Sequence, residues 1–369
     1  MIPKHHYFAP DIFDVEAERL FRTGWHFACL APEVANDRDF VCVDYPGAAI
    51  VIQNFKGALK AFQNVCTHRF NKIQTEERGN RPLTCGYHAW SFDSSGFPAG
   101  MPRKAQVLEG NASRESLCLT QYRVELCGKF VFIGLGSVDG SLRDHLGPFY
   151  GVLEEISRHI GGETHFGSVP HAVNWKLLVE NVVECYHCAV AHTETFIPAG
   201  FGKLPIDQVE ISGSHSSCHF PRQADGRDGL RKRMFSHLAK REFSHDSFYH
   251  IYIFPNLFIA STEGMSFYVG HAIPVGPEQS VLRLRYLEPN VDFSAGQRIR
   301  QDKIAQETNA IGLRLVEEDR TILQNVQKGI RIADKPGVIG ADEVRVKAFM
   351  DAYLAKMAPP PAVRRVISS

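Results

Sequence analysis

The sequence predicts an α+β chain of two units, a small antiparallel β domain followed by a larger domain in which long helices wrap an antiparallel sheet. Three observations carry that expectation. At 369 residues and 44% hydrophobic content the chain is long enough for two cores, since single cores stop growing near about 250–300 residues. Short strand-like runs separated by Gly, Pro, Asn and Asp turns fill positions 38 to 138. Beyond 139 the texture changes to longer helical periodicities with strand runs between them.

In chain order, residues 1–37 are expected to form an N-terminal helical segment that packs on the second domain. Within it, 11–24 (DIFDVEAERLFRTG) sets Ile12, Phe13, Val15, Leu20 and Phe21 near the spacing of an amphipathic helix, with acids early, arginines late and Gly24 as the stop. The β domain covers 38–140, its strands marked by FVCVDY, AAIVIQNF, LKAFQNV, LCLTQYRVELCG and KFVFIGLG. The run LRDHLGPFYGVLEEISRHIGG, within 139–165, reads as helix and connects the units, with the boundary at 140–150. The second domain, 141–369, opens with a helix over 174–192 and continues into a basic stretch at 222–246, expected to be a solvated excursion or lid. Strands at SFYHIYIF, LFIAST, MSFYVGHAIPV and SVLRLRYLEP precede helices over 296–330 and 341–357. The tail PPPAVRRVISS is expected to be poorly ordered.

Charge excludes some functions. Lys+Arg and Asp+Glu each number 41, so no global field attracts nucleic acid or an anionic membrane, and a small-molecule enzyme is favoured. No run of about 18 apolar residues is present and MIPKHHYFAPDIF lacks the apolar core of an export signal, so a cytoplasmic location is expected. Nine cysteines, an odd number, favour thiols and metal ligands over a disulfide framework. Cys29, Cys42, Cys118, Cys127 and Cys218 read as small buried residues.

Two groups of residues carry metal chemistry. Cys66-Thr67-His68 and Cys85-Gly86-Tyr87-His88 form a C-x-H and a C-x-x-H pair, each in a turn between strands. Two thiolates and two imidazoles suit a tetrahedral zinc or a [2Fe–2S] cluster in which His₂ replaces Cys₂ on one iron. The Cys, His, Cys, His order is unusual for zinc, whose fingers place two cysteines before two histidines. The second group lies in NWKLLVENVVECYHCAVAH, residues 174–192, with His187 and His192 five apart and acids at Glu180 and Glu184. Two histidines and one carboxylate on one face of an iron leave positions open for O₂ and substrate. The carboxylate must come from elsewhere, and VEEDRTILQNVQKGI offers Asp319, with Glu317 and Glu318 as rivals.

With these residues in view, NVCTHRFNKIQ…LTCGYHAWSFDSSG resembles the C-x-H-R-G and C-x-Y-H-G-W pattern of Rieske non-haem iron oxygenases, and Arg69, Tyr87 and Trp90 match it beyond the ligands. Phe70 and Ala89 depart from it, standing where the family generally has Gly; a turn that needs positive φ there must be adjusted. The second segment is similar to the N-W-K…E-N…(D/E)-x-Y-H-x4-H pattern of the ring-hydroxylating alpha subunits. That resemblance implies a Rieske domain and a mononuclear Fe(II) catalytic domain. It also favours Asp319 over its rivals, with His187 and His192 as the other ligands and Glu184 bridging His187 to His88 of an adjacent subunit. Glu184 in E-C-Y-H-C looks more like the branch acting on carnitine, choline and betaine.

Implied with it are a head-to-tail homotrimer, O₂, a small organic substrate, and NAD(P)H electrons delivered by a separate reductase, directly or through a ferredoxin. No G-x-G-x-x-G turn for a nicotinamide cofactor occurs in the chain. Hydroxylation or demethylation of a quaternary amine competes with hydroxylation of an aromatic acid or related arene; an electron carrier and a zinc protein are remoter alternatives. Phe258, Phe267 and Tyr268 are candidates for a pocket lining suited to an arene or a trimethylammonium group. Cys185 and Cys188 form C-x-x-C without a thioredoxin-like βαβ context and are expected to be inert thiols.

Overall fold

The computed structural model describes residues 1–107, 113–138, 140–223, 243, 245 and 247–359. Most of the basic stretch at 222–246, and the tail from 360 onward, lie outside the described residues.

The first seven-stranded sheet is antiparallel and comprises β1 (Gly24–Leu30), β2 (Asp39–Tyr45), β3 (Ala48–Phe55), β4 (Ala58–Gln63), β5 (Arg78–Asn80), β8 (Gln121–Cys127) and β9 (Phe130–Leu135). Its order is β1-β9-β8-β4-β3-β2-β5, and a two-stranded ribbon of β6 (Ser91–Phe92) and β7 (Pro98–Gly100) stands apart from it. Alternating apolar residues make this a sheet with a core face. Val41, Val43, Ile50, Ile52 and Ala61 share one cluster, whereas Phe40, Cys42, Val51 and Phe62 pack on the opposite side beneath the two Cys-His turns.

Residues 1–37 are only partly helical, which corrects the sequence reading. The helix Pro10–Glu16 runs into a wider turn at Ala17–Phe21, and Gly24, at φ +80°, turns the chain into β1. β1 is buried along almost its whole length and pairs with β9, so GWHFACL belongs to the first sheet.

A second seven-stranded antiparallel sheet fills the rest of the chain. β11 (Asp207–Ser212), β12 (His215–Pro221), β13 (Ser247–Ile253), β14 (Leu257–Thr262), β15 (Ser266–Gly276) and β16 (Gln279–Pro289) follow one another as a meander. β10 (Ile160–His171), which precedes them in sequence, pairs with β16. The connecting run expected to be helical through 165 therefore ends its helix at His159. The 38-residue helix Ala295–Ile332 and the helix Val344–Met357 match the two late helices.

Buried ion pairs hold the parts together. Arg285, fully buried, makes a bidentate pair with Glu33 at 2.7 and 2.8 Å, tying the second sheet to the segment after β1. Lys176 Nζ lies 2.5 Å from Glu16 Oε1, both side chains almost entirely out of solvent. Trp175 Nε1 donates to the other oxygen of Glu16 at 2.9 Å, and the Tyr353 hydroxyl donates to Oε1 at 2.7 Å. Asn174 caps the same helix, accepting from the Lys176 amide at 3.0 Å. The N-W-K triplet thus caps a helix and grips Glu16, locking the N-terminal helix to the helices Trp175–Val182 and Val344–Met357.

Glu16→Ala leaves the Lys176 ammonium buried without a counter-charge and is expected to lower the unfolding free energy by about 3–5 kcal/mol in urea denaturation. The double replacement Glu16→Leu, Lys176→Met should recover part of that loss.

Candidate metal centres

The two Cys-His turns are built alike. The Cys66 amide donates to Asn71 O at 2.9 Å and the Phe70 amide returns to Cys66 O at 2.9 Å; the Cys85 amide donates to Trp90 O at 2.8 Å and the Ala89 amide returns to Cys85 O at 3.0 Å. In each turn the fourth residue after the cysteine takes the left-handed conformation, Phe70 at φ +59° and Ala89 at φ +56°. The turn that glycine would favour is therefore kept by residues that pay a steric cost of about 1–2 kcal/mol each.

Both thiols are buried, and backbone N–H groups of His68 and Arg69 point at Cys66 while those of Tyr87 and His88 point at Cys85. Asn71 Nδ2 adds a contact to Cys85 Sγ at 3.6 Å. The His68 and His88 rings lie 4.5 Å apart, and His68 stacks on Trp90 at 4.7 Å. His68 Nδ1 is buried with no hydrogen-bond partner among the described residues. Two sulfurs rich in amide donors and a buried imidazole nitrogen left unpaired fit a thiolate- and imidazole-bound cluster.

The second group forms where a helix breaks. The helix Trp175–Val182 stops, residues 183–187 unwind, and a short helix resumes at Cys188–Ala191. This break turns His187 and His192 toward each other, their Nε2 atoms 3.2 Å apart. Asp319, from the long helix Ala295–Ile332, brings Oδ1 to 3.2 Å from His192 Nε2 and 3.6 Å from His187 Nε2. That oxygen is buried and has no hydrogen-bond partner among the described residues.

The far ring nitrogens decide the chemistry. His187 Nδ1 meets Glu184 Oε1, and His192 Nδ1 meets Glu318 Oε2 at 2.8 Å, with Thr195 Oγ1 donating to the same Glu318 oxygen at 2.6 Å. Each carboxylate accepts from Nδ1–H, so both Nε2 lone pairs face the Asp319 oxygen. Three acceptors aimed at one point repel one another unless a cation sits among them, and the donor set suits a divalent metal.

The three neighbouring acids have separate fates. Glu317 is exposed and paired with Arg320, Glu318 stands behind His192, and Asp319 faces the imidazoles. From the sequence Glu318 is only a rival to Asp319, and nothing in the sequence marks its place behind His192. Cys185 and Cys188 are joined in a disulfide, which overturns their expected state as thiols. The unwound turn brings their Cα atoms to 5.0 Å, within bridging reach, a proximity that the spacing alone did not reveal. Glu180 is partly buried and accepts the Tyr7 hydroxyl at 2.6 Å; desolvation, partly offset by that bond, lifts its pKa to about 7.

A cavity of about 320 Å³ opens onto Glu184, His187, His192 and Asp319. Phe196, Phe220, Phe248 and Phe258 supply much of its wall, and the expected Phe267 and Tyr268 also line it. Among the described residues no helix is long and apolar enough to cross a membrane.

Fold and site define a chain with two separate metal-ligating centres, one on a β domain and one under a helix-wrapped sheet. The model for the ring hydroxylating alpha subunit (catalytic domain) matches residues 154–359 and the model for the Rieske [2Fe-2S] domain matches 24–122, so the chain belongs to the ring-hydroxylating alpha-subunit family. It is 33% identical over 197 residues to the carnitine monooxygenase oxygenase subunit of Escherichia coli (strain K12), covering 52% of each chain. It is 30% identical over 191 residues to the anthranilate 1,2-dioxygenase large subunit of Acinetobacter baylyi, covering 50% of this chain and 40% of that one. The chain thus spans about half the length of the curated relatives it matches. Its fold is like that of the quaternary ammonium Rieske monooxygenase CntA in complex with L-carnitine, with a TM-score of 0.74 at 21% identity over 96% of this chain and 94% of that one. Naphthalene 1,2-dioxygenase from Rhodococcus sp. bound to indole gives a TM-score of 0.75 at 18% identity, with coverage of 96% and 94%.

Phe70→Gly and Ala89→Gly are each expected to stabilise the protein by about 1 kcal/mol, measured as a rise in thermal midpoint, because glycine adopts the left-handed turn without strain. Asp319→Ala should release the mononuclear metal, leaving about two iron and two sulfide per chain by elemental and acid-labile sulfide analysis; retention of a third iron would remove Asp319 from the ligand set.

Proposed function

We propose that the chain is the terminal oxygenase component of a system that uses reductase-delivered electrons and O₂ to hydroxylate or oxidatively demethylate a small organic substrate. The observation that carries this reading is the convergence of His187 Nε2, His192 Nε2 and Asp319 Oδ1 on one point at the mouth of an aromatic cavity. Cys66, His68, Cys85 and His88 hold the [2Fe–2S] cluster, and His187, His192 and Asp319 hold a mononuclear Fe(II). When bound, that iron supplies O₂ activation with electrons received from the cluster. The protein's own part is positional. Glu184 and Glu318 fix the ring orientation of the two imidazoles and raise their basicity, leaving the coordination face toward the cavity open.

Electrons come from NAD(P)H through a separate reductase, directly or through a ferredoxin. Head-to-tail assembly as a homotrimer, with one subunit's cluster turns against the next subunit's Glu184, is supported by exposed apolar side chains at both places. Phe70 is 82% and Tyr87 54% exposed at the cluster turns, and Tyr186 is 81% and Val190 83% exposed beside His187.

The substrate class favoured is a quaternary amine such as a betaine, in line with the relatives named carnitine and glycine betaine monooxygenase oxygenase subunits. The ring-rich wall suits a trimethylammonium group by cation–π contact. The same wall favours a second reading, an aromatic acid, consistent with the relative named as an anthranilate 1,2-dioxygenase large subunit.

The test is chemical reduction of the cluster followed by O₂ in the presence of betaines or aromatic acids, with reoxidation and product formation recorded. Glu184→Gln should bind both metal groups yet slow single-turnover cluster oxidation by about tenfold or more. Oxidation at the wild-type rate would remove Glu184 from the path between centres.

A further inference from the structure

His250 lies on β13 in the wall of the same cavity, buried to 5% exposure. Its ring sits among Phe220, Phe248 and Phe258, with centroids 6.3, 6.5 and 6.4 Å away. From the metal-ligating His192 the wall runs through Phe196 to Phe248 at centroid separations of 6.4 and 5.2 Å, and then to His250. His250 is thus a polar group in an otherwise phenylalanine-rich part of the lining.

Its proton position is fixed from behind. Arg345, at the start of the helix Val344–Met357 and 1% exposed, directs one guanidinium nitrogen to His250 Nδ1 at 2.9 Å. A guanidinium has donors only, so Nδ1 accepts, and the proton of the neutral ring is on Nε2. Burial and the adjacent cation both push the His250 pKa well below its ordinary value, which agrees with a neutral ring. No hydrogen bond to Nε2 is present among the described residues, leaving a fixed N–H donor for whatever occupies the cavity.

The charge behind the ring is equally unusual. Arg345 contacts Ser216 Oγ at 3.0 Å and Cys218 Sγ at 2.8 Å besides His250, and no carboxylate lies within ion-pair distance among the described residues. Burial holds the Cys218 thiol above its ordinary pKa, so it is a poor source of negative charge. A buried cation with no counter-ion among the described residues is costly, and an anion brought into the cavity would relieve it through the polarised imidazole.

We propose that His250, backed by Arg345, is an anion-binding subsite that takes the carboxylate of the substrate on its Nε2–H, while the apolar or trimethylammonium part fills the phenylalanine-lined space. This rests on the oxygenase reading for the cavity being a substrate site, and it adds that the substrate is a carboxylic acid anion. Betaines and aromatic acids share that group.

Calorimetric binding to the anaerobic holoprotein separates the cases, using benzoate and 4-(trimethylammonio)butanoate, each against its methyl ester. The wild type should bind at least one acid about tenfold or more tightly than its ester, as expected for a hydrogen bond to a charged acceptor in a low-dielectric site; which acid does so distinguishes an aryl from a betaine substrate. His250→Phe should reduce that preference to about twofold or less with ester affinity kept, and His250→Gln, which retains an N–H donor, should restore part of it. A wild type that binds neither acid better than its ester, or a His250→Phe protein that keeps the preference, overturns the subsite. Binding needs no turnover, so failure of the oxygenase reading would show separately, as absent cluster reoxidation in a protein that still discriminates acid from ester.

Discussion

Three acceptor atoms held within 3.2 to 3.6 Å of one another are the constraint around which the catalytic domain is arranged. Left alone, two imidazole lone pairs and a carboxylate oxygen repel, and the structure must hold them against that repulsion until a cation arrives. It does so with carboxylates on the far side of each ring. Glu184 and Glu318 each accept a hydrogen bond from an Nδ1–H, Thr195 steadies Glu318, and the break after Val182 sets the two rings edge to face. The helix that leads into the break cannot drift, because Asn174 caps it and Trp175 and Lys176 both bind the buried Glu16. A loss at Glu16 would therefore reach His187 and His192 through the helix as well as through stability.

The cluster turns answer a similar demand with backbone instead of side chains. Each closes with the same pair of main-chain hydrogen bonds, and each requires a left-handed residue four positions after its cysteine. Glycine at those positions would remove the strain. Phe70 and Ala89 accept it, and Phe70 then projects an exposed ring from the tip.

Much of this was legible from residue type and spacing. The cysteines and histidines of the first centre announced themselves, and Phe70 and Ala89 stood out as departures whose positive φ the structure then displays. Asp319 and Glu318 could not be separated by composition, because adjacent helix positions are distinguished only by what packs beside them. β10 escaped notice because IGGETHFGSVPH has three glycines, a proline and no clean alternation, which a strand paired on one side only tolerates. β12 was hidden because its buried positions include His215, Ser216 and Ser217, polar residues with partners that only the fold supplies. The disulfide at Cys185 and Cys188 depended on an unwinding that no glycine or proline in VECYH signals.

Arg345 illustrates how a costly group shows a purpose that a well-satisfied one conceals. Elsewhere the buried cations have acids, Arg285 with Glu33 and Lys176 with Glu16, and their roles are complete within the fold. Among the described residues Arg345 makes three hydrogen bonds, none to a carboxylate, and one of them fixes the tautomer of a histidine in the cavity wall. If holding the last helix were its whole task, an uncharged donor in the same place would serve without the desolvation cost. A guanidinium adds positive potential behind an N–H that has no hydrogen-bond partner among the described residues. Glu184 and Asp319 place negative groups beside the metal site in the same space. A divalent ion bound there offsets that charge, so the proposed subsite at His250, rather than the metal end, sets where the anionic group of a substrate rests.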